Sequence, residues 1–369
     1  MPDRRIHLLN RLCDRLLLER EPRLSLLFFV SRPRPAVGGN SDGDYIPRMT
    51  REPNDEPNPL DLSPADMTAL RACTLCPRRC RADRASTDLG YCATGTAPAV
   101  SSICAHRGEE PAISGRRGIC NIFFAHCNLQ CIYCQNHQIS SNRTPVARFE
   151  RNLAGIVAEV EMILDAGARG VGFVSPSHSL RQMRAIMHAL RAGGRDDPFV
   201  FNTNAYDHES AIRDLAGDID VYLPDLKYMD GRLAAAYSDA PDYVPIATSA
   251  LREMYRQKGA ELRLDGEGTA RNGLIIRHLV LPGHVENSKA VLRFIAENLS
   301  PEVHISLMSQ YHQTPAVADH PVLGRRLHPE EYEEVLDEFE SLGFSRGWAQ
   351  ELASADHYRP DFRNQHPFE

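Results

Sequence analysis

Cysteine is missing from everything after residue 134. All ten cysteines fall between Cys13 and Cys134 of a 369-residue chain. A disulfide framework usually spreads through a small secreted domain, so this distribution argues against one and favours metal or cluster ligation. Lysine is scarce as well. Lys227, Lys258 and Lys289 are the only lysines among 42 basic residues. Arginine is the default cation here, so a lysine at a strand end stands out. No long apolar run is present. Leu24–Val30 falls far short of the roughly 20 residues a membrane helix needs. It also follows Arg15, Glu19, Arg20, Glu21 and Arg23, a poor context for a signal peptide. These features predict a cytoplasmic protein with no membrane span. The net charge of −7 offers no global footprint for nucleic acid or an anionic lipid surface.

Hydrophobic residues make up 42% and charged residues 25%, enough for one large α/β domain with appendages. Residues 1–64 read as an N-terminal extension and linker, because 31–64 are rich in Pro, Gly, Asp, Asn and Ser. Met49 and Met67 offer alternative translation starts. Residues 65–118 form a cysteine- and arginine-rich segment with little periodicity, which needs a metal staple. Residues 119–352 form the core and 353–369 a C-terminal tail.

Within the core, short β-rich runs alternate with helical patterns. The runs are Ile119–Ala125, Gly170–Ser175, Phe199–Asn204, Val221–Asp225, Leu274–Leu281 and His304–Gln310. Helices are expected at Leu153–Asp165, Leu180–Arg191, Ser288–Asn298 and Pro329–Leu342. Six strands alternating with helices predict a parallel sheet with crossover helices. Each run stops at polar residues, and in barrels of this kind the C-terminal strand ends carry the active site.

Cys127, Cys131 and Cys134 lie on one loop directly after the first run, spaced C-x3-C-x2-C. Three thiolates can hold three irons of a cubane and leave the fourth open. A zinc site completed by His126 or His137, or three buried structural cysteines, fits the same spacing. Upstream, Cys73, Cys76, Cys80 and Cys92 form a four-thiolate set that suits either zinc or an auxiliary cluster. Arg71, Arg78, Arg79, Arg81 and Arg84 would offset its charge. Cys104 and Cys120 have no clear partner.

The loop resembles the signature of the radical S-adenosylmethionine (SAM) superfamily. The string Ile122–Ser140 is similar to the pyruvate formate-lyase activating enzyme-like branch, and to an iron–sulfur protein subgroup within it. Gly108–Gly115, Asn202–Ala205, Val221–Tyr228, Tyr237–Ser238, Ala240–Tyr243, Arg277–Gly283, Ile305–Tyr311 and Gly347–Glu351 extend the likeness over roughly residues 70–352. The resemblance implies a partial (β/α)6 barrel, with a small N-terminal cysteine-rich metal-binding segment before it. It implies a [4Fe–4S] cluster on Cys127, Cys131 and Cys134, and SAM cleaved there to a 5′-deoxyadenosyl radical that abstracts hydrogen. It also implies a low-potential flavodoxin or ferredoxin as electron donor, and a glycyl-radical protein as one candidate substrate. A small molecule, a peptide or RNA is the alternative substrate. An electron-transfer or sensor protein without SAM chemistry is the alternative of another class.

One stretch departs from the branch. Activating enzymes have Ser-Gly-Gly-Glu-Pro after the second strand, where this chain reads Val174-Ser-Pro-Ser-His178. With no carboxylate there, Ser175, Ser177 and His178 are the candidates for the SAM amino group. Asn202 and Asn204 offer amides for the carboxylate or ribose. Asp225 and Lys227 share one face of a strand and match an Asp-x-Lys active-site pair of the relatives, so they are the catalytic candidates. Arg277 and His278 alternate, one inward and one outward, and spacing does not tell which. Gln310 and Tyr311 line the mouth after the last strand. Glu109 and Glu110 lie in a string whose role the sequence does not reveal.

Overall fold

A computed structural model describes residues 62–356, 359–364 and 366–368. Cys13 and nearly all of the N-terminal extension lie outside the described residues. The strands are β1 (Val100–His106), β2 (Ile119–Phe124), β3 (Val171–Val174), β4 (Phe199–Thr203), β5 (Val221–Pro224), β6 (Arg263–Leu264), β7 (Ala270–Leu279), β8 (His304–Met308) and β9 (Gly347–Ala349). They pair in the order β1-β2-β3-β4-β5-β7-β8-β9, with β6 attached to β7. β2, β3, β4, β5, β7, β8 and β9 run parallel, and all but the short β9 are the strands the sequence pattern implies. The sheet does not close on itself, so the architecture is a partial (β/α)6 barrel.

Covering both faces of a parallel sheet makes its strands read as continuous apolar runs. All six residues of β2 are buried for that reason. Outside, helices present apolar stripes at helical spacing, such as Ile156, Val160 and Leu164 on Leu153–Asp165, and Met183, Ile186, Met187 and Leu190 on Leu180–Ala192. Inside, Ile119, Val200, Val221, Leu223 and Ile275 form an apolar floor with Ala112 and Ile113 of the short helix Pro111–Ser114. Phe201 is fully buried in the outer layer, and truncating it to alanine would cost about 3–5 kcal/mol.

The structure departs from the sequence reading in the cysteine-rich segment. Its C-terminal part is β1, which pairs antiparallel with β2, from His106↔Ile119 to Val100↔Phe124. Weak alternation conceals it, because β1 is an edge strand. The sequence pattern does not reveal the long helix Tyr243–Lys258, because its stripe of Ala247, Ala250, Leu251 and Met254 is interleaved with polar residues. At the tail, Phe362 packs on Phe123, and Phe368 on His106. No helix among the described residues is long and apolar enough to cross a membrane.

Candidate active site

The loop from Cys127 to Cys134 begins three residues beyond the C-terminal end of β2. Backbone strain concentrates beside it. His126, Ser175 and Ala205 follow β2, β3 and β4, and all three are non-glycine residues with left-handed φ of 65°, 56° and 63°. Such conformations persist only where surrounding contacts hold them, and they gather at functional sites. The His126 amide donates to Ile139 O and the Ser175 amide to Asn202 O, pinning two of the three.

Each sulfur of the loop accepts hydrogen bonds. Cys127 Sγ receives the Leu129 amide at 3.4 Å and Asn204 Nδ2 at 3.4 Å. Cys131 Sγ receives the Ser238 hydroxyl at 2.9 Å. Cys134 Sγ receives the Ser140 hydroxyl at 3.4 Å. Ser238 is itself held by a buried hydroxyl chain, with Tyr228 Oη 2.7 Å away and Tyr133 Oη 2.6 Å beyond that. The helix Gly231–Ser238 brings this donor in and takes the Ile132 amide on its Tyr237 carbonyl. Donors of this kind orient ligands and tune a metal centre. Burial, then the neighbouring Cys131, pushes the Cys127 thiol up to about 12. Burial also raises Cys131, to about 11, although the Lys227 ammonium pulls it back.

Below the loop, a polar network crosses the barrel interior. Arg277 on β7 donates from Nε to Asp225 Oδ1 at 2.8 Å, from Nη1 to Glu109 Oε2 at 3.0 Å and from Nη2 to Asn202 Oδ1 at 2.7 Å. Lys227 Nζ takes the other oxygen of Asp225 at 2.8 Å. Burial would raise the Asp225 carboxyl, but Arg277 and Lys227 bring it down to about 2. Asn121 on β2 donates to Glu109 Oε1 at 2.8 Å. It has room because residue 172 is glycine, where a Cβ would stand 2.1 Å from Asn121 Oδ1. Glu110 is buried beside this network with Oε2 unpartnered, and burial raises its carboxyl above the ordinary range.

The network joins Asp225, Lys227, Asn202 and Arg277. Asn204 faces the loop, donating to Asn128 Oδ1 at 2.8 Å as well as to Cys127. Gln310 donates to Gln135, the residue after Cys134, at 3.2 Å. Ser175 is half-buried at the mouth. Three other candidates sit differently. Ser177 is fully buried with its hydroxyl 3.1 Å from that of Thr203. His178 does not face the mouth of the barrel as an open SAM contact. It is buried, and its Nε2 donates to Ala125 O at 2.9 Å. Burial, then the nearby Arg84, holds its ring neutral, down to about 3. His278 turns away from the interior. Its Nδ1 donates to Leu226 O at 2.7 Å and its Nε2 accepts from Ser288 on the outer helix Val285–Asn298 at 2.9 Å. The inward member of the pair is therefore Arg277. Glu109, Asn121 and the Tyr133–Tyr228–Ser238 chain are the members that sequence reasoning left unassigned. The Gly108–Gly115, Ile122–Ser140, Val221–Tyr228 and Tyr237–Ser238 strings carry the available signal for all of these except Asn121.

Near the loop, Cys76 feels the thiols of Cys92, Cys73 and Cys80, and burial is the main force pushing it up to about 12. Cys104 and Cys120 are buried neighbours on β1 and β2, outside both cysteine sets. Among the described residues, no three His, Cys, Asp or Glu side chains converge on a position for a single metal ion.

No protein-family model matches the chain. An uncharacterized protein of Methanocaldococcus jannaschii is 28% identical over 288 residues, covering 76% of this chain and 78% of its own. Among solved structures, a domain of pyruvate-formate lyase-activating enzyme from Bacteroides vulgatus is 17% identical, with a TM-score of 0.36 over 49% of this chain and 99% of that one. SuiB of Streptococcus suis is 14% identical, with a TM-score of 0.42 over 65% of this chain and 53% of that one. SuiB is also known bound to S-adenosylmethionine, a structure 15% identical with a TM-score of 0.40 over 63% of this chain and 47% of that one.

Proposed function

We propose that this chain is a radical SAM enzyme, with a [4Fe–4S] cluster on Cys127, Cys131 and Cys134. The observation that carries the reading is the loop itself. Three thiols within eight residues, each sulfur met by its own donor, stand at the C-terminal mouth of a parallel partial barrel. The donor set fits the group. All three ligands are sulfur, and among the described residues no three His, Cys, Asp or Glu side chains converge on one ion. His126, one of the two histidines a zinc site could use, has Nδ1 2.9 Å from Cys92 O and Nε2 2.9 Å from Thr144 O, so neither of its nitrogens is available. When bound, the cluster supplies the electron that splits SAM into methionine and a 5′-deoxyadenosyl radical.

The chain's own residues do the rest. Lys227 places a cation beside the thiolates and offsets their charge. Asp225 keeps that ammonium in place, and Arg277 keeps Asp225 ionised. Ser175, Asn202, Asn204 and Gln310 offer the polar groups that orient SAM. Tyr133 and Tyr228 hold the Ser238 hydroxyl on Cys131 and, being buried, keep water from that sulfur.

The finer reading is activation of a glycyl-radical protein by hydrogen abstraction from its backbone. The unclosed sheet supports a large substrate, and the absent second-strand carboxylate sets this chain apart from activating enzymes. A small molecule, peptide or RNA remains the alternative. The test is anaerobic incubation of reduced protein with SAM. Equal 5′-deoxyadenosine and methionine are expected, and none from Cys131→Ala. A wild-type protein that carries iron on the loop yet forms no 5′-deoxyadenosine overturns the proposal.

A further inference from the structure

We infer that Cys73, Cys76, Cys80 and Cys92 hold a second iron–sulfur cluster that takes electrons from an acidic one-electron carrier protein and delivers them to the Cys127 loop. The delivery half rests on the function proposed above; the cluster half does not.

A buried cation marks the site. Arg84 is 2% exposed, and its guanidinium bonds the carbonyls of Thr94, Gly95 and His178, the Thr94 hydroxyl and, at 4.0 Å, Cys73 Sγ. None of these partners is a carboxylate. A buried charge needs a counter-charge, and metal-bound thiolates supply one. Thr94 Oγ1 lies 3.0 Å from Cys92 Sγ, a hydroxyl on sulfur as at the loop. Gly90 makes room for the fourth ligand. A Cβ there, at φ +65°, would stand 2.6 Å from Cys80 Sγ.

The thiol arrangement favours a cluster over zinc. Three of the four cysteines come from the eight residues Cys73–Cys80, spaced x2 then x3, the reverse order of the x3 and x2 at Cys127–Cys134. Zinc sites more often use two separated pairs.

The two cysteine sets are also bonded to each other. His126, next to Cys127, has its Nδ1 2.9 Å from Cys92 O. Asn142 Nδ2 donates to Tyr91 O at 2.8 Å and to Cys127 O at 2.9 Å. Arg78, two residues from Cys76, donates to Asn128 O at 2.8 Å. On the outer side Cys80 is exposed between exposed Arg79 and Arg81, while nearby Asp83 faces Arg71 at 3.8 Å. An acidic carrier docks on that arginine pair. The carrier loses one electron and the loop gains it, with no bond made or broken.

The experiment uses the full chain, reconstituted anaerobically with iron and sulfide, and counts iron and zinc. Wild type should hold about eight irons, and both Cys76→Ala/Cys92→Ala and Cys127→Ala/Cys131→Ala/Cys134→Ala about four. If the upstream variant keeps all its iron, or the wild type as isolated carries one zinc, this inference falls. If the loop variant keeps all its iron, the proposed function falls instead. Gly90→Ala, which leaves every cysteine in place, should also lose the upstream iron, covering a cysteine variant that fails to fold. For delivery, reduction of the loop cluster by reduced flavodoxin is followed by absorbance and electron spin resonance. Arg79→Gln/Arg81→Gln, which should keep about eight irons, should slow it about tenfold, with reduction by titanium(III) citrate unchanged. An unchanged flavodoxin rate refutes electron entry there.

Discussion

Arg277 and Asp225 meet across β5 and β7, Nε to Oδ1 at 2.8 Å, and this contact binds the catalytic candidates to the barrel interior. The same guanidinium reaches Glu109 and Asn202 with its other nitrogens. One buried cation therefore serves two carboxylates. Removing it leaves Glu109 without a counter-charge and Asp225 with Lys227 alone, which costs about 3–5 kcal/mol. Arg277→Met is expected to lower the unfolding free energy measured in urea by that amount. Arg277→Lys should recover only part of it, because an ammonium lacks the fork that spans Asp225, Glu109 and Asn202. A Met variant as stable as wild type would contradict this account of the network.

Lys227 tests the chemistry rather than the fold. Its ammonium lies between Asp225 and the loop thiols, where charge changes during the reaction. Lys227→Met should retain loop iron and lose about a hundredfold in 5′-deoxyadenosine formation, the scale for removing one electrostatic stabiliser. Equal losses of iron and activity would instead make Lys227 a residue of cluster assembly.

What was legible in the sequence was periodic or local. Six apolar runs alternating with helices specify the parallel strands, and the loop's cysteines lie within one turn of chain. What was hidden depends on distant partners. Glu109 and Arg277 are 168 positions apart, so no window of sequence joins them. The Arg277–His278 ambiguity has the same origin. A strand buried on both faces shows which residues alternate but not which face is the interior. Only the outer helix carrying Ser288 decides it. His178 likewise reads as a candidate for the SAM amino group, yet the neighbouring strand end supplies Ala125 O and closes it in.

His278 predicts an acid-labile fold. Burial is the main cause that pushes its ring down to about 4. An unfolded histidine titrates near 6.5, so between those values the unfolded chain binds a proton that the folded chain refuses. The contribution is present above about pH 6.5 and is lost as the pH falls towards 4, on the order of 3 kcal/mol in all. His178 acts in the same direction. Urea midpoints between pH 7 and 4.5 should fall steeply for wild type and less steeply for His278→Gln. Parallel curves would mean that His278 titrates normally in the fold.

Ser238 tests whether the hydrogen bonds on the loop sulfurs matter. Its hydroxyl reaches Cys131 Sγ at 2.9 Å and is fixed from behind by Tyr228 and Tyr133. A donor on a ligand sulfur stabilises the reduced, more negative cluster, so its removal lowers the reduction potential. Ser238→Ala should therefore keep its iron, show a more negative midpoint in a redox titration, and form 5′-deoxyadenosine about tenfold more slowly. Tyr228→Phe removes the hydroxyl that positions Ser238 but not the sulfur contact itself. It should shift the midpoint in the same direction by less. If Tyr228→Phe shifts the potential more than Ser238→Ala, the tyrosine reaches the cluster by a route other than Ser238.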